Sequence, residues 1–342
     1  MPQMRIHFTD ADLARTRLKP EIDLLWEVVG SAQVLQHRGG GLPLKRWRRR
    51  VRERACAAGA VRLAVHTVTT VAPHAAYFPD FLTPTEEVRD IGEGADAVVS
   101  ASPRRMREEV GLLRRPRAPA ARWLDELARG KTAAVRHLHE ALRVYFEAVL
   151  EPDLPVIGDG LRIACAGGIQ RYLRDGPEGL LRWLGPATSW RPPVLAVDYP
   201  VDRDLRLDGR GLVLVPSYFG VFHPVALADP RLRPVLVFPI EARARLLAGC
   251  HGEGDHVSAL LGPTRATILR SAVTGGTTTR LAQQAGVAPA TVSHHTGVLR
   301  DAGLITTDRH ENLATHLITS LGLAVLTSGD DQHASGGSSR SS

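Results

Sequence analysis

Before about residue 190, apolar side chains recur at three- and four-residue steps through much of the chain, the spacing of amphipathic helices. Ile22, Leu25, Trp26 and Val29 form one such stripe, and Thr9 stands where it can cap a helix over 10–17. The chain is expected to open with helices. Further helices are predicted over 122–128, 133–150 and 161–173. In the longest of them Val135, Leu138, Leu142, Tyr145, Phe146 and Val149 share one stripe, and Pro152 and Pro155 are expected to end it. From Pro193 the pattern changes to short apolar runs broken by proline and glycine. VLAVDYP, DLRL, GLVLVP and VLVFP predict four strands. Residues 1–255 are therefore expected to form a mainly α domain with a small β part near 193–239, an α+β arrangement serving regulation or oligomerisation. The stretch 327–342, rich in Gly, Ser, Asp and His, is expected to be disordered.

Residues 256–326 have a different texture. Ile268, Leu269 and Val273 lie on one face of a predicted helix over 262–273 that stops at Gly275 and Gly276, and a second helix over 277–285 opens on threonines. Ala282, Gly286 and Val292 follow at the spacing that two helices joined by a tight turn require. One is a small residue where the helices touch, one tolerates positive φ in the turn, and one is apolar and points back at the first helix. The helix over 289–302 begins on Pro289, whose missing N–H costs nothing in a first turn. Its inner stripe is Val292, Thr296, Leu299 and Gly303, while Ala290, Thr291, Ser293, His294 and Gly297 form a small, polar opposite face that suits a DNA major groove. LITTDRHENLATHLI then reads as a hairpin, with Asn312 able to take the left-handed turn conformation. It has the position and length of the wing in a winged helix-turn-helix domain.

The segment 287–304, VAPATVSHHTGVLRDAGL, resembles the recognition helix of ArsR-type winged-helix transcriptional regulators, and TSLGLAVL after the hairpin resembles their closing helix. More diffusely, RIHFTDADLARTRL, YFPDFLTP, LLGPTRATIL and GRGLVLVPSYF look like a larger regulator group in which an N-terminal domain of unknown function precedes this type of DNA reader. The resemblance implies a sequence-specific transcriptional regulator, a homodimer reading an imperfect palindrome in double-stranded DNA. Thr291, Ser293 and His294 would lie nearest the bases, with Arg280 and Arg309 approaching phosphates. Thr296 stands where the family pattern has Leu, a loss of buried apolar area worth about 1–2 kcal/mol. Gly297 replaces a long polar or basic side chain, and the wing lacks its usual glycine. Signal sensing would belong to the N-terminal domain, where an apolar pocket could hold a small-molecule effector.

Composition refines this picture. The formal charge of +7 over 342 residues invites a nucleic-acid partner, yet residues 258–322 carry only +2 and the stretch 42–54 carries +6. A module of +2 binds DNA weakly by itself, so a dimer or a contribution from 42–54 is required. The arginine run is nonetheless expected first as a solvated helix face. Three widely spaced cysteines, Cys56, Cys165 and Cys250, suggest buried small hydrophobes rather than a metal or disulfide framework. His295 is expected to be a packed, hydrogen-bonded core histidine. Cys250, His251, Glu253, Asp255 and His256 cluster in a glycine-rich loop without metal-ligand spacing, so no metal or other cofactor is expected. No GxSxG, GxxxxGK[ST] or HExxH motif occurs, and the glycines at 158–160 and 167–168 lack a phosphate-loop context, so no enzyme is expected. The alternative is an enzymatic or small-molecule-binding activity of the N-terminal domain that leaves no contiguous motif. Without a secretory h-region or a run of about 20 apolar residues, a cytoplasmic location is expected, away from the membrane.

Overall fold

The computed structural model describes residues 2–75, 77–113, 119–229, 231–248, 256–273, 275–310 and 313–327. The chain divides into two compact units, Met1–Arg245 and Leu246–Ser342, an earlier boundary than the expected 255. The tail 328–342, expected to be disordered, lies outside the described residues.

The first unit mixes helices with two four-stranded sheets. The predicted runs become strands at Val194–Asp198, Arg203–Arg206, Val213–Ser217 and Val235–Pro239. The β part is not appended to the end of the unit, however. Gln3–His7, which lies within the stretch expected to be helical, is a strand between Val194–Asp198, to which it runs antiparallel, and Arg203–Arg206, to which it runs parallel. Its alternation is short: Met4 and Ile6 point into the core while Arg5 faces out. The predicted opening helix is present but shorter, Asp10–Arg15, with Thr9 as its cap. Arg17–Leu18 then joins the second sheet beside Val213–Ser217. One apolar cluster fills the space between the sheets and the end of the longest helix. It includes Met4, Ile6, Leu180, Leu181, Leu195, Leu214, Leu236 and Phe238.

The predicted helices appear as Ala120–Ala128, Thr132–Tyr145 and Leu154–Trp183, joined by Leu24–Gln36, Gly41–Ala57, Gly59–Val71, Ile91–Val99 and Pro103–Gly111. Pro152 and Pro155 do not stop helical conformation. The helix loosens into a wider turn at Phe146–Leu150, Pro152 sits in the tight turn Glu151–Asp153, and Pro155 occupies the first turn of the next helix. That helix breaks at Gly176, where φ is 65°. The glycines at 158–160 and 167–168 lie inside it. A Cβ on Gly160 would meet Tyr218 at 2.9 Å and one on Gly168 would meet Trp183 at 2.6 Å, so these two are packing positions.

Buried carboxylates tie the helical layer to the sheet loops. Glu27 Oε1 accepts the Tyr218 N–H at 2.7 Å, and Oε2 accepts the Phe219 N–H at 3.0 Å and the Ser217 hydroxyl at 3.2 Å. Arg245 grips the same loop from its carbonyls, donating to Tyr218 O at 2.6 Å and Gly220 O at 3.0 Å. Asp80 accepts the backbone N–H groups of Ala228 and Asp229, and Asp12 that of Gly211. Glu109 accepts the Phe81 N–H and is paired with Arg105.

In the second unit, helices Pro263–Ser271, Thr278–Ala285 and Pro289–Asp301 pack on one another. A three-stranded antiparallel sheet of Ile305–His310, Leu313–Ile318 and Gly276–Thr277 follows, with the helix Ser320–Thr327 after it. Ile268, Leu269, Leu281, Val292, Leu299 and Ile305 are the buried centre.

Burial pushes the Glu27 carboxyl up to about 7, against the pull of its donors and Arg245. The folded state thus holds this proton more tightly than the unfolded chain. The stability contributed by Glu27 is full below about 4.5, falls as pH rises through 7 and is level above, a change of about 3 kcal/mol. Glu27→Gln points an amide N–H at backbone donors, and it should be destabilised by about 2–4 kcal/mol. In urea melts of both proteins, the wild-type advantage should be larger at pH 5 than at pH 8; an equal advantage at both would refute the assignment.

Candidate nucleic-acid interface

Thr277 begins the helix Thr278–Ala285 by accepting the Arg280 N–H, and Gly286 ends it with φ 64° while its N–H returns to Ala282 O. A side chain at that φ would be strained, so glycine permits the chain to reverse within a few residues. Pro289 then starts the second helix. Val292, Thr296 and Leu299 are buried along its inner face, as the spacing predicts. Thr296 fits there because its hydroxyl donates to Ser293 O at 3.1 Å, which satisfies the polar atom that Leu would not bring. Gly303 is not on this inner stripe: it is exposed, and its φ of 71° turns the chain out of the helix.

The outer face gathers most of the predicted residues. Ala290, Thr291, Ser293 and His294 are exposed, Gly297 is half-buried, and Arg280 is exposed on the preceding helix. Taking Val292 as inward, Ser293 and His294 lie about 100° and 200° around the helix, which accounts for their exposure. Val298 and Arg300 also lie on the outer side, two positions that the sequence reading omitted although the same helical angle reaches them. Arg309 pairs with Ala314 across the hairpin, and its side chain lies outside the described residues. Asn312, expected in the hairpin turn, also lies outside them.

The basic charge of this unit is partly spent inside it. Arg265 donates to Leu261 O, and its Nε is buried without a partner among the described residues. His295 is half-buried, as expected of a packed residue, yet its Nδ1 has no hydrogen bond among the described residues. Burial, then Arg265 and His294, hold its pKa below the usual histidine value. The hydrogen-bonded core histidine is a different one. His316 is buried, with Nε2 3.0 Å from the Thr278 hydroxyl and Nδ1 2.9 Å from that of Thr307, so it fastens the helix start to both hairpin strands. Its place in THLI, an alternating strand, marked an inward position.

The arginine run lies on the helix Gly41–Ala57 and is not a uniformly solvated face. Arg48 is buried and donates to Gly39 O and Arg38 O. Arg50 and Arg54 both reach Asp153, and Arg54 also donates to Ala148 O. Lys45, Arg49 and Arg52 are left on the exposed side. The sequence counts these charges, and only the fold shows which are consumed. Of the cysteines, Cys165 is buried, its thiol pushed up to about 12, whereas Cys56 is exposed at the end of the arginine helix, against expectation. Cys250, His251, Glu253 and Asp255 lie outside the described residues, as does the side chain of His256.

The chain matches no protein-family model, no curated protein and no solved structure. Among the described residues, no helix is long and apolar enough to cross a membrane.

Leu299→Ala should cost about 2–5 kcal/mol, because it empties a packed position. His316→Ala should cost about 1–3 kcal/mol, because it strands two hydroxyls. Hydrogen exchange of the Pro289–Asp301 amides should quicken in both variants and stay unchanged in Ser293→Ala. Quickening in all three would mean that the outer face is also structural.

Proposed function

We propose that the second unit is a winged helix-turn-helix DNA reader and that the protein is a sequence-specific transcriptional regulator of the cytoplasm. The observation that carries this reading is one helix with two faces. Val292, Thr296 and Leu299 anchor Pro289–Asp301, while Thr291, Ser293 and His294 stand exposed beside Ala290 and Gly297 with no bulky group among them. Short donors and acceptors on a slim helix are what a major groove admits. The hairpin Ile305–Ile318 supplies the wing, with Arg309 on it, and Arg280 lies at the start of the preceding helix. Both would meet phosphates.

Among the described residues exposed cations are few on this unit, which supports a homodimer that doubles the phosphate contacts and reads two half-sites. The exposed Lys45 and Arg52 on Gly41–Ala57 add a second, weaker source of phosphate affinity. The reading gives the chain no enzymatic role and needs no cofactor.

Selection of binding sites from random DNA by the full chain should yield a palindromic operator. Against that operator and a scrambled duplex, the Ser293→Ala/His294→Ala variant should retain its melting temperature and lose about 1–3 kcal/mol of discrimination per base contact removed. Arg309→Ala should weaken both duplexes alike. Unchanged operator preference in the double variant would sink the assigned reading face, and failure to select any sequence would sink the function.

A further inference from the structure

The helix Leu154–Trp183 reverses at Gly176, where φ is 65° and Pro177 follows. Its two arms lie side by side. A Cβ on Gly168 would meet the Trp183 ring at 2.6 Å, and one on Gly179 would meet Arg171 O at 2.6 Å, contacts that a straight helix would hold more than about 10 Å apart. The returning arm therefore covers the side of the first arm that carries Gly168, Arg171 and Asp175. Taking Gly168 as inward, Ile169, Leu173 and Ala166 lie about 100°, 140° and 160° around the helix, with Tyr172 at their edge at about 40°. All four are exposed, Leu173 by 78% and Ile169 and Tyr172 by 43% each. Among the described residues every other exposed large apolar side chain stands singly on its element, which is ordinary surface. Three on neighbouring turns of one helix form an apolar face without a cover.

Charge limits what can cover it. Arg162, Arg174 and Arg182 along the hairpin are paired with Asp159, Asp175 and Glu178. A nucleic acid or an anionic membrane asks for a run of free cations, whereas a charge-balanced apolar face suits an identical surface, which brings no like charge against it. The order of side chains is also self-complementary. When two copies of the first arm cross antiparallel about a two-fold at Ile169, each residue meets the one equally far on the other side of 169. Tyr172 then falls opposite the small Ala166, and Leu173 opposite Cys165, so bulky side chains meet small positions as helix packing requires. Arg162 falls opposite the helix end at Gly176, where the last carbonyls and the Asp175 carboxylate gather negative charge.

We propose that Ile169, Tyr172 and Leu173, with Ala166 and Arg162, form an interface between two copies of this chain, the first arms crossing antiparallel about a two-fold axis. The face is small beside a standard interface, so a dissociation constant in the micromolar range is expected. The proposal is drawn from the first unit alone; it agrees with the homodimer of the DNA reading and does not depend on it.

Sedimentation velocity of the full chain between about 1 and 100 µM should show a monomer–dimer equilibrium. Leu173→Glu places a carboxylate in the contact twice over and should weaken the dimer at least about tenfold, with an unchanged circular dichroism spectrum because Leu173 is exposed. Ala166→Leu is the sharper test. It adds apolar surface at an exposed position, so mere stickiness would tighten association, whereas the antiparallel contact loses the space that receives Tyr172 and should weaken about fivefold or more. A dimer that tightens in Ala166→Leu, or that Leu173→Glu leaves intact, overturns the proposal and leaves the DNA reading its homodimer through another surface. A wild-type chain that stays monomeric at about 100 µM overturns both this interface and that homodimer.

Discussion

A single carboxylate holds the first unit's two halves in register. Glu27 leaves the helix Leu24–Gln36 and receives the Ser217 hydroxyl and the N–H groups of Tyr218 and Phe219 at the end of a central strand. Those N–H groups belong to backbone that has left the ladder, so without Glu27 they would be buried and unmade. Once the loop is fixed, its side chains become surfaces for other elements. Phe219 packs on Trp47 of the arginine helix, Tyr218 fits the space at Gly160 of the longest helix, and Arg245 closes the loop's carbonyls. The burial of so many polar groups is tolerable because each is answered; any one missing partner would cost more than the bond contributes.

The same device recurs in the stretches that suggested a larger regulator group. Asp12 in FTDADLARTRL reaches Gly211 in GRGLVLVPSYF, and Asp80 in YFPDFLTP holds Ala228 and Asp229. These stretches are therefore joined by loop anchoring, a requirement of the fold rather than of a reaction.

Arginine plays a comparable internal role, and this changes what net charge means here. Arg48, Arg245 and Arg265 are used to satisfy carbonyl oxygens, with Arg245 buried deeply enough that its pKa falls to about 10. A charge of +7 thus overstates the electrostatic footprint open to DNA. In the DNA reading we propose, affinity depends on two copies and on a few exposed side chains.

Local pattern was enough wherever an element's form follows from its own residues. The Thr9 cap, the threonine-led start of the helix Thr278–Ala285, the positive-φ turn at Gly286, the proline start at Pro289, and the inner positions Val292, Thr296 and Leu299 were legible because each depends on neighbours within a few residues. The four strands after Pro193 were legible for the same reason. The strand Gln3–His7 was not recovered: its alternation is brief, and its partners lie about 190 residues away, where only chain folding can bring them. Nor could composition separate Arg48 from Arg49, or His316 from His295, since burial and partner choice are properties of the packed unit. The sequence determined which elements form and which face of the Pro289–Asp301 helix stays polar. Tertiary structure decided which charges are spent inside and which glycines are contacts, because each depends on desolvation and on groups distant along the chain.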